Sequence, residues 1–366
     1  MFRSSLAVFS FAACLAAPVA WLCPPATAQS PAADQRSGMI NPQGIVFNPA
    51  SRKVYVVDPA HAAVDVIDTA TQSVHSVAVG AGPVSVAADS ATGRTYVAST
   101  GAGTVTVIDG ASDKVLATVA VGANPYSIAA NSRTGTVYVS HTYFNRTTAL
   151  DVATNAVTQL ATGSIDLIAL DAAANAAYLL GYEGGTLTVL EGAGNAMRKQ
   201  QAGQHAWGMA VNEATHTLYV ARMGTGDVIA IHGTSSSILP AGRTPCAVAV
   251  NPGAKRIFVA NYAGGSVTVL DSETGRRLAA IPVGERPQAL AVDAQRNLVY
   301  VANTFSGTVT VIDAERRKAV ATLPAGKAPY ALAVDPGSAK VYVANEAGEQ
   351  PFTIVDAKLS AHLHRE

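Results

Sequence analysis

Two histidines and several carboxylates are the side chains of this sequence that could bind a metal ion or transfer a proton. His141 and His205 could each supply a ring nitrogen, and Asp58, Asp166 or Glu183 could supply an oxygen ligand. These residues are far apart in sequence, and no H-E-x-x-H or C-x-x-C motif places two ligands together. The nucleophile motif G-x-S-x-G and the phosphate-binding motif G-x-x-x-x-G-K-S/T are also missing. We therefore predict no catalytic residue, no metal and no cofactor.

A repeated pair of residues reveals the elements that must position these side chains. An aromatic residue followed by an aliphatic one recurs eight times, at intervals of 39 to 42 residues. A repeat near this length, made of strand-like segments, is typical of a β-propeller in which each repeat forms one blade. The pairs are Tyr55-Val56, Tyr96-Val97, Tyr138-Val139, Tyr178-Leu179, Tyr219-Val220, Phe258-Val259, Tyr300-Val301 and Tyr342-Val343.

Residues 284–325 show how one repeat should fold. Gly284 to Pro287 is predicted to be a turn, because glycine permits unusual backbone angles and proline fixes φ. Three apolar segments follow at 288–292, 298–302 and 308–312, and a less apolar one follows at 319–323. Each has the length of a β-strand, and polar turns separate them. An aspartate ends the third segment of most repeats, and we predict that it caps the next turn rather than binding calcium.

The sequence divides into eight such units: 38–79, 80–121, 122–162, 163–202, 203–241, 242–283, 284–325 and 326–366. We predict an all-β fold, with a single β-propeller domain over residues 38–366 that has eight four-stranded antiparallel blades. Seven blades is the alternative, because Lys358 to His362 would make a poor fourth strand for the last unit. The segment 29–37 could complete that blade and close the ring.

Three phrases recur in these units: G-x-x-P, Tyr-Val-Ala-Asn and T-V-T-V-I-D. Tyr300 to Asn303, Tyr342 to Asn345 and Phe258 to Asn261 carry the second phrase most clearly. With these motifs, residues 38–357 resemble the YVTN-family β-propeller repeat proteins, a WD40-like scaffold. The resemblance implies an exported or cell-surface propeller used in binding and assembly, and single-stranded DNA binding is suggested for one periplasmic member. It carries over no catalytic residue, but propellers of similar appearance include lactonases and quinone- or haem-linked dehydrogenases.

Residues that depart from the repeat are the best candidates for function. In a propeller, the turn before the first strand and the loop after the second strand open on one face, around a central funnel. Repeats 3, 4 and 5 depart most, and repeat 4 has Asp166 in place of the turn proline, followed by Leu167. Aromatic faces with a few ionisable groups would suit a small ligand, and drift of solvent-facing loops is the alternative. The predicted ligand-binding residues are Asp58, Tyr126, His141, Tyr182, His205, Trp207, Arg222, Gln288 and Tyr330.

The first residues resemble an export signal. Arg3 precedes a largely apolar run from Leu6 to Leu22, and Ala26 to Ala28 fits a cleavage site. We predict a cleaved signal peptide over 1–28 and an N-terminal segment over 29–37. A membrane anchor or a lipoprotein signal at Cys14 is less favoured. The mature protein would be periplasmic or secreted, without a transmembrane segment.

Cleavage would leave a nearly neutral chain with one cysteine. Loss of Arg3 leaves 24 basic residues against 25 acidic ones, which provides no broad cationic field for nucleic acid or anionic lipid. Cys14 and Cys23 would leave with the signal. Cys246 remains, and we predict that it is a small buried residue.

These observations predict an exported, non-enzymatic binding or scaffold protein that is a monomer. Its funnel would bind a protein, a peptide or a small molecule. Two alternatives stay open: an enzyme of lactonase, lyase or quinoprotein type, and a propeller that binds single-stranded DNA. The DNA alternative, which is not favoured, would depend on base stacking by Tyr126, Trp207 and Tyr330 with help from Arg222, Arg243 and Arg286.

Overall fold

The computed structural model describes residues 44–348 and 351–356, which form eight antiparallel sheets. Each sheet contains strands that are consecutive in sequence, and one 3-10 helix, Tyr262–Gly264, lies between two strands of the sixth sheet. The first four sheets are β1 (Ile45–Asn48), β2 (Lys53–Asp58), β3 (Ala63–Asp68) and β4 (Val74–Ala78); β5 (Pro83–Ala88), β6 (Arg94–Ser99), β7 (Thr104–Asp109) and β8 (Val115–Ala120); β9 (Pro125–Asn131), β10 (Thr136–His141), β11 (Thr147–Asp151) and β12 (Val157–Leu160); and β13 (Leu167–Asp171), β14 (Ala176–Leu180), β15 (Thr186–Glu191) and β16 (Ala196–Gln201). The last four are β17 (Ala206–Asn212), β18 (Thr217–Arg222), β19 (Asp227–His232) and β20 (Ser235–Pro240); β21 (Pro245–Asn251), β22 (Arg256–Asn261), β23 (Ser266–Asp271) and β24 (Arg277–Pro282); β25 (Pro287–Asp293), β26 (Leu298–Asn303), β27 (Thr308–Asp313) and β28 (Lys318–Pro324); and β29 (Lys327–Asp335), β30 (Lys340–Ala347) and β31 (Phe352–Asp356).

The first strands of the eight sheets contact one another in a closed ring. β5 lies between β1 and β9, and the same pattern continues to β29, which contacts β1. The first and last sheets share an apolar cluster that includes Ile45, Val56 and Ala344. In addition, Gln72 Nε2 donates a hydrogen bond of 3.1 Å to the hydroxyl oxygen of Tyr342. The fold is therefore the all-β, eight-bladed propeller that the repeat predicted, and not the seven-bladed alternative.

The eighth blade has three strands among the described residues, β29 to β31. The segments considered for its fourth strand, 29–37 and Lys358 to His362, lie outside the described residues, as does the predicted signal peptide. Within residues 44–348 and 351–356, no helix has the length and apolar character needed to cross a membrane.

The repeated aromatic residues pack between neighbouring blades. Phe258 of the sixth blade is fully buried in a cluster with Val299 of the seventh, and Tyr300 of the seventh shares a cluster with Val341 of the eighth. The first strands contain small residues because they approach one another closely. A Cβ atom on Gly208 would lie 2.5 Å from a carbonyl oxygen of the neighbouring first strand. The aromatic–aliphatic pair is thus a packing motif.

The aspartates that end third strands cap the turns that follow, as predicted. Asp271 Oδ1 accepts hydrogen bonds from the backbone N–H of Glu273 at 3.1 Å and of Thr274 at 2.9 Å. These bonds, chiefly the one from Thr274, hold the pKa of Asp271 below its usual range. Asp68 and Asp151 accept the same pair of backbone hydrogen bonds.

Strand direction gives the ring two faces with different turns. The face that we call the upper face carries the turns before each first strand and the loops between second and third strands. The lower face carries the turns between first and second strands and between third and fourth strands. Polar contacts join neighbouring blades there: Arg94 Nη1 donates to the carbonyl oxygen of Val152 at 2.7 Å, and His216 Nδ1 lies 2.8 Å from Asp171 Oδ2.

Candidate functional site on the upper face

Aromatic residues in the turns are confined to the upper face. Five described residues outside the strands are Phe, Tyr or Trp, and all five lie in loops between a second and a third strand: Tyr143, Phe144, Tyr182, Tyr262 and Phe305. The lower face carries no such residue in its described turns. Tyr143 and Phe305 are 59% and 67% exposed. Because aromatic residues are enriched in binding surfaces, the upper face is the candidate site.

The first strand of most blades has a β-bulge at the residue that follows the turn proline. Pro287 pairs with Asn303 and Ala289 pairs with Ala302, so Gln288 is an extra residue on the first strand. A bulge redirects the side chain of the extra residue, which makes this a distinct structural position. The same shift in register occurs at Val84, Trp207, Cys246 and Tyr330.

Repeat 4 departs from this pattern by one residue. Counted back from the partner of Tyr178, the bulge position falls on Asp166 and not on Leu167. The turn before this strand is one residue shorter than in repeats 2, 3 and 5 to 8, so Ile165, and not Asp166, takes the place of the proline. Asp166 Oδ2 accepts a hydrogen bond of 2.7 Å from the backbone N–H of Tyr182, which holds the start of the loop that carries this tyrosine.

Three of the predicted site residues meet at the junction of blades 4 and 5. Tyr182 follows β14, His205 precedes β17, and Trp207 is the bulge residue of β17. The ring of Tyr182 meets the His205 ring edge-on at 5.4 Å between centroids, and the Trp207 ring at 5.5 Å. His205 is exposed, whereas Trp207 is only 9% exposed. The three rings form one unit with a buried indole and an exposed imidazole at its edge.

This unit continues into blade 6 through Tyr262. Tyr182, Met223 and Tyr262 all pack against the apolar cluster that contains Trp207 and Cys246. We call Tyr182, Trp207 and Tyr262 the aromatic platform. Cys246 is a buried residue of this cluster, as predicted, and burial raises the pKa of its thiol to about 12.

His141 is placed in the interior of blade 3 and not at the funnel rim, where the sequence predicted it. Its side chain is 0% exposed. Nδ1 lies 2.8 Å from the carbonyl oxygen of Ala123, and Nε2 lies 2.7 Å from Thr148 Oγ1. Burial lowers the pKa of His141, and a neutral ring with its proton on Nδ1 satisfies both contacts. A ligand on the upper face would have to open the blade to reach this ring.

His141 takes the place of the asparagine in the phrase Tyr-Val-Ala-Asn. Asn303 Nδ2 donates to Thr310 Oγ1 at 2.9 Å, and Asn261 Nδ2 donates to Thr268 Oγ1 at 3.0 Å. Each threonine is the seventh residue after its asparagine, and the threonine bonded to the histidine has the same offset. In these three blades, the side chain at this position joins the second strand to the third inside the blade.

Arg222 occupies the same position in repeat 5 and is also paired internally. Its Nε and Nη2 atoms donate hydrogen bonds of 2.6 Å and 2.8 Å to the two carboxylate oxygens of Asp227. The pair joins β18 to β19, and both side chains are largely buried. Arg222 is therefore not an unpaired cation of the funnel.

The remaining predicted residues have contacts of their own. Asp58 Oδ2 lies 2.6 Å from Nδ1 of the exposed His61. Gln288 Oε1 accepts a hydrogen bond of 2.8 Å from a threonine of the next loop. Tyr330 packs between the last and first blades, where burial raises the pKa of its hydroxyl to about 12. Tyr126 is half-buried on β9.

The repeat pattern did not indicate Tyr262 and Phe305 as candidate site residues. They lie one and two residues after the asparagine position, as Tyr182 and Tyr143 do in their own repeats. That regular offset was the available signal. No group of three His, Cys, Asp or Glu side chains that could hold a metal ion occurs within residues 44–348 and 351–356.

The buried ring of His141 is expected to make stability depend on pH. Because its pKa is lowered in the folded protein, the unfolded chain takes up the proton first as the pH falls below about 6.5. Stability is therefore lost as the pH falls from 7 towards 5. We expect the wild type to lose more free energy of unfolding over this interval than His141→Asn, as measured by urea denaturation at both pH values. Equal losses would contradict the neutral buried ring.

Comparison with known proteins supports the fold. No family model and no curated protein matches the sequence, so the resemblance to YVTN-family repeats is not confirmed. The structure of hydrazine synthase from Kuenenia stuttgartiensis is similar, with a TM-score of 0.60 and 15% identity over 87% of this chain and 96% of that one. The dihydro-heme d1 dehydrogenase NirN, in complex with DHE, has a TM-score of 0.70 and 15% identity over 87% of this chain and 72% of its own. At this identity the likeness shows the fold alone.

Proposed function

We propose that this chain is an exported, non-enzymatic binding propeller whose upper face is the binding surface. The confinement of turn aromatics to that face carries the proposal. Turns of every blade form both faces. Without a ligand on one face, we would expect aromatic turn residues on both. Export rests on the signal-like residues 1–28.

The aromatic platform is the centre of the proposed site. The half-buried rings of Tyr182 and Tyr262 offer apolar surface and pack against the cluster that contains Trp207, whose indole meets Tyr182 edge-on, and His205 lies at the edge. Sites of this kind, with aromatic walls and few polar groups, bind small molecules and the apolar side chains of peptides. We propose that the partner places an apolar group on the platform.

An enzyme remains the second candidate, because the two similar structures carry the names of a synthase and a dehydrogenase. The exposed imidazole of His205 beside Tyr182 is the group that could transfer a proton there. Elemental analysis and an absorption spectrum of the purified protein discriminate between the two. A stoichiometric transition metal or a bound chromophore would favour the enzyme.

Removal of an exposed aromatic residue from the upper face is expected to weaken binding of a neutral apolar probe. Trp207 is the only tryptophan after residue 28, so its fluorescence reports binding of 2-naphthamide. We expect Phe305→Ser to weaken this binding by roughly threefold to tenfold, because aromatic contacts beyond simple burial contribute about 0.5–1.5 kcal/mol.

Ile238 offers a matched control for this measurement. It is exposed to the same extent as Phe305, 67%, but lies on the outer strand β20. Ile238→Ser is expected to leave the affinity for 2-naphthamide unchanged. If both variants weakened binding equally, or if the wild type bound no probe, the upper face would not be the binding surface.

A further inference from the structure

Arg286 is held between two aromatic rings on the upper face. Its guanidinium carbon lies 5.0 Å from the centre of the Phe305 ring and 5.6 Å from that of Tyr262. The two rings come from neighbouring blades, and Arg286 belongs to the turn between them. Such contacts attract the cation through the negative faces of the rings. They leave most of the five N–H donors of the guanidinium available.

The main chain around Arg286 is fixed by three hydrogen bonds to the loop that carries Phe305. The N–H of Thr304 donates to the carbonyl oxygen of Arg286 at 3.0 Å, and that of Phe305 donates to Glu285 at 3.3 Å. The N–H of Glu285 in turn donates to Ser306 Oγ at 2.7 Å. The turn that carries the arginine and the loop that carries the phenylalanine are therefore held together, which lowers the cost of ordering them on binding.

Among the described residues, no carboxylate oxygen lies within 4.0 Å of a guanidinium nitrogen of Arg286. Its side chain is exposed. Other arginines do reach a carboxylate at that distance: Arg198, Arg222, Arg256, Arg296 and Arg316. The positive charge of Arg286 is thus positioned by rings and is not neutralised by a protein acid.

The aromatic platform leads directly to this charge. Tyr262 packs against the apolar cluster that contains Trp207, and the guanidinium carbon of Arg286 lies 5.6 Å from the centre of the same tyrosine ring. A ligand on the platform would therefore meet apolar surface first and a fixed cation at its edge. Planar, forked donors of arginine match a carboxylate in two parallel hydrogen bonds.

We propose that Arg286 binds the carboxylate of a ligand whose apolar part lies on the aromatic platform. This inference rests on the proposed function, because it uses the same face. It names the ligand class as an apolar carboxylate, whether a free acid or the end of a peptide.

Two probes of the same shape test the inference. 2-Naphthoate carries a carboxylate and 2-naphthamide a neutral amide, so the ratio of their affinities isolates the charge. Isothermal titration calorimetry on the full mature protein at 0.15 M salt is expected to show naphthoate binding about tenfold more tightly. Arg286→Gln is expected to bring the two affinities together, and Arg286→Lys to keep only part of the difference.

Arg243 supplies the control, since it is an exposed arginine in the preceding turn that is stacked on no ring among the described residues. Arg243→Gln should leave the ratio unchanged. A wild-type ratio of one, or a ratio lowered equally by both variants, would overturn the role of Arg286 while the apolar site stands. If 2-naphthamide did not bind at all, the proposed function and this inference would fail together.

Discussion

Replacement of His141 by leucine is expected to lower the free energy of unfolding by about 2–3 kcal/mol. Leucine would fill much of the space, but it would leave the carbonyl oxygen of Ala123 without its histidine donor and remove one of the three contacts of the Thr148 hydroxyl. Thr148 is 0% exposed, so water cannot replace the contact that its hydroxyl loses. Chemical denaturation of the two proteins at pH 7 measures the difference.

Asparagine at this position is expected to retain most of the stability that leucine loses. Asn261 and Asn303 make the same connection to a threonine seven residues later in their own blades. His141→Asn should therefore fold as stably as the wild type within about 1 kcal/mol, and it should bind 2-naphthamide unchanged. Equal destabilisation by leucine and asparagine would show that packing, and not hydrogen bonding, determines the residue. Loss of probe binding in the asparagine variant would return His141 to the ligand site.

The fold could be predicted from the sequence because its determinants are local and repeated. A pair such as Tyr300-Val301 recurs at nearly constant intervals, and each copy needs the neighbouring blade to bury its ring. The turn residues predict the same strand boundaries, since Asp271 and its equivalents cap the turns that follow third strands. Agreement among apolar spacing, turn chemistry and repeat length leaves few folds that could satisfy all three.

The direction of individual side chains could not be predicted in the same way. The asparagine position adjoins a loop in sequence, which predicted that the side chains of His141 and Arg222 face solvent in the funnel. The structure shows that these two side chains bond across to the third strand, as Asn261 and Asn303 do, so each departure replaces one internal bond by another. The short turn of repeat 4 is a similar case, because one missing residue moves Asp166 into the bulge position, and only strand register reveals it.

The platform was only partly visible in the sequence because its contacts join different blades. Tyr182 and Trp207 attracted attention as departures from the repeat, and they do meet. Apart from their regular offset, nothing in the sequence distinguishes Tyr262 and Phe305 from other loop residues. In the structure, both rings contact the guanidinium of Arg286. Residues about 20 to 60 positions apart become neighbours through the packing of one blade on the next, and a repeat pattern does not say which aromatic rings will touch.

Replacement of Trp207 by alanine is expected to have the largest effect on both stability and binding. Its indole is buried in the apolar cluster against which Tyr182 and Tyr262 pack. Its removal should therefore cost about 3–5 kcal/mol of the free energy of unfolding. It should also weaken binding of 2-naphthamide by more than about tenfold, because the platform loses its central ring. Trp207→Phe, which keeps an aromatic ring there, should lose much less of both. Thermal unfolding and calorimetry measure the two effects without tryptophan fluorescence.

Leu218 separates a loss of the platform from a general loss of stability. It is fully buried in the same cluster but lies on β18 and contributes no ring to the upper face. Leu218→Ala is expected to cost about 2–5 kcal/mol of stability and to leave probe binding nearly unchanged at a temperature where the protein is folded. If it weakened binding as much as Trp207→Ala, the effect of the indole would come from the stability of the blade, and the platform would lose its place as the binding surface.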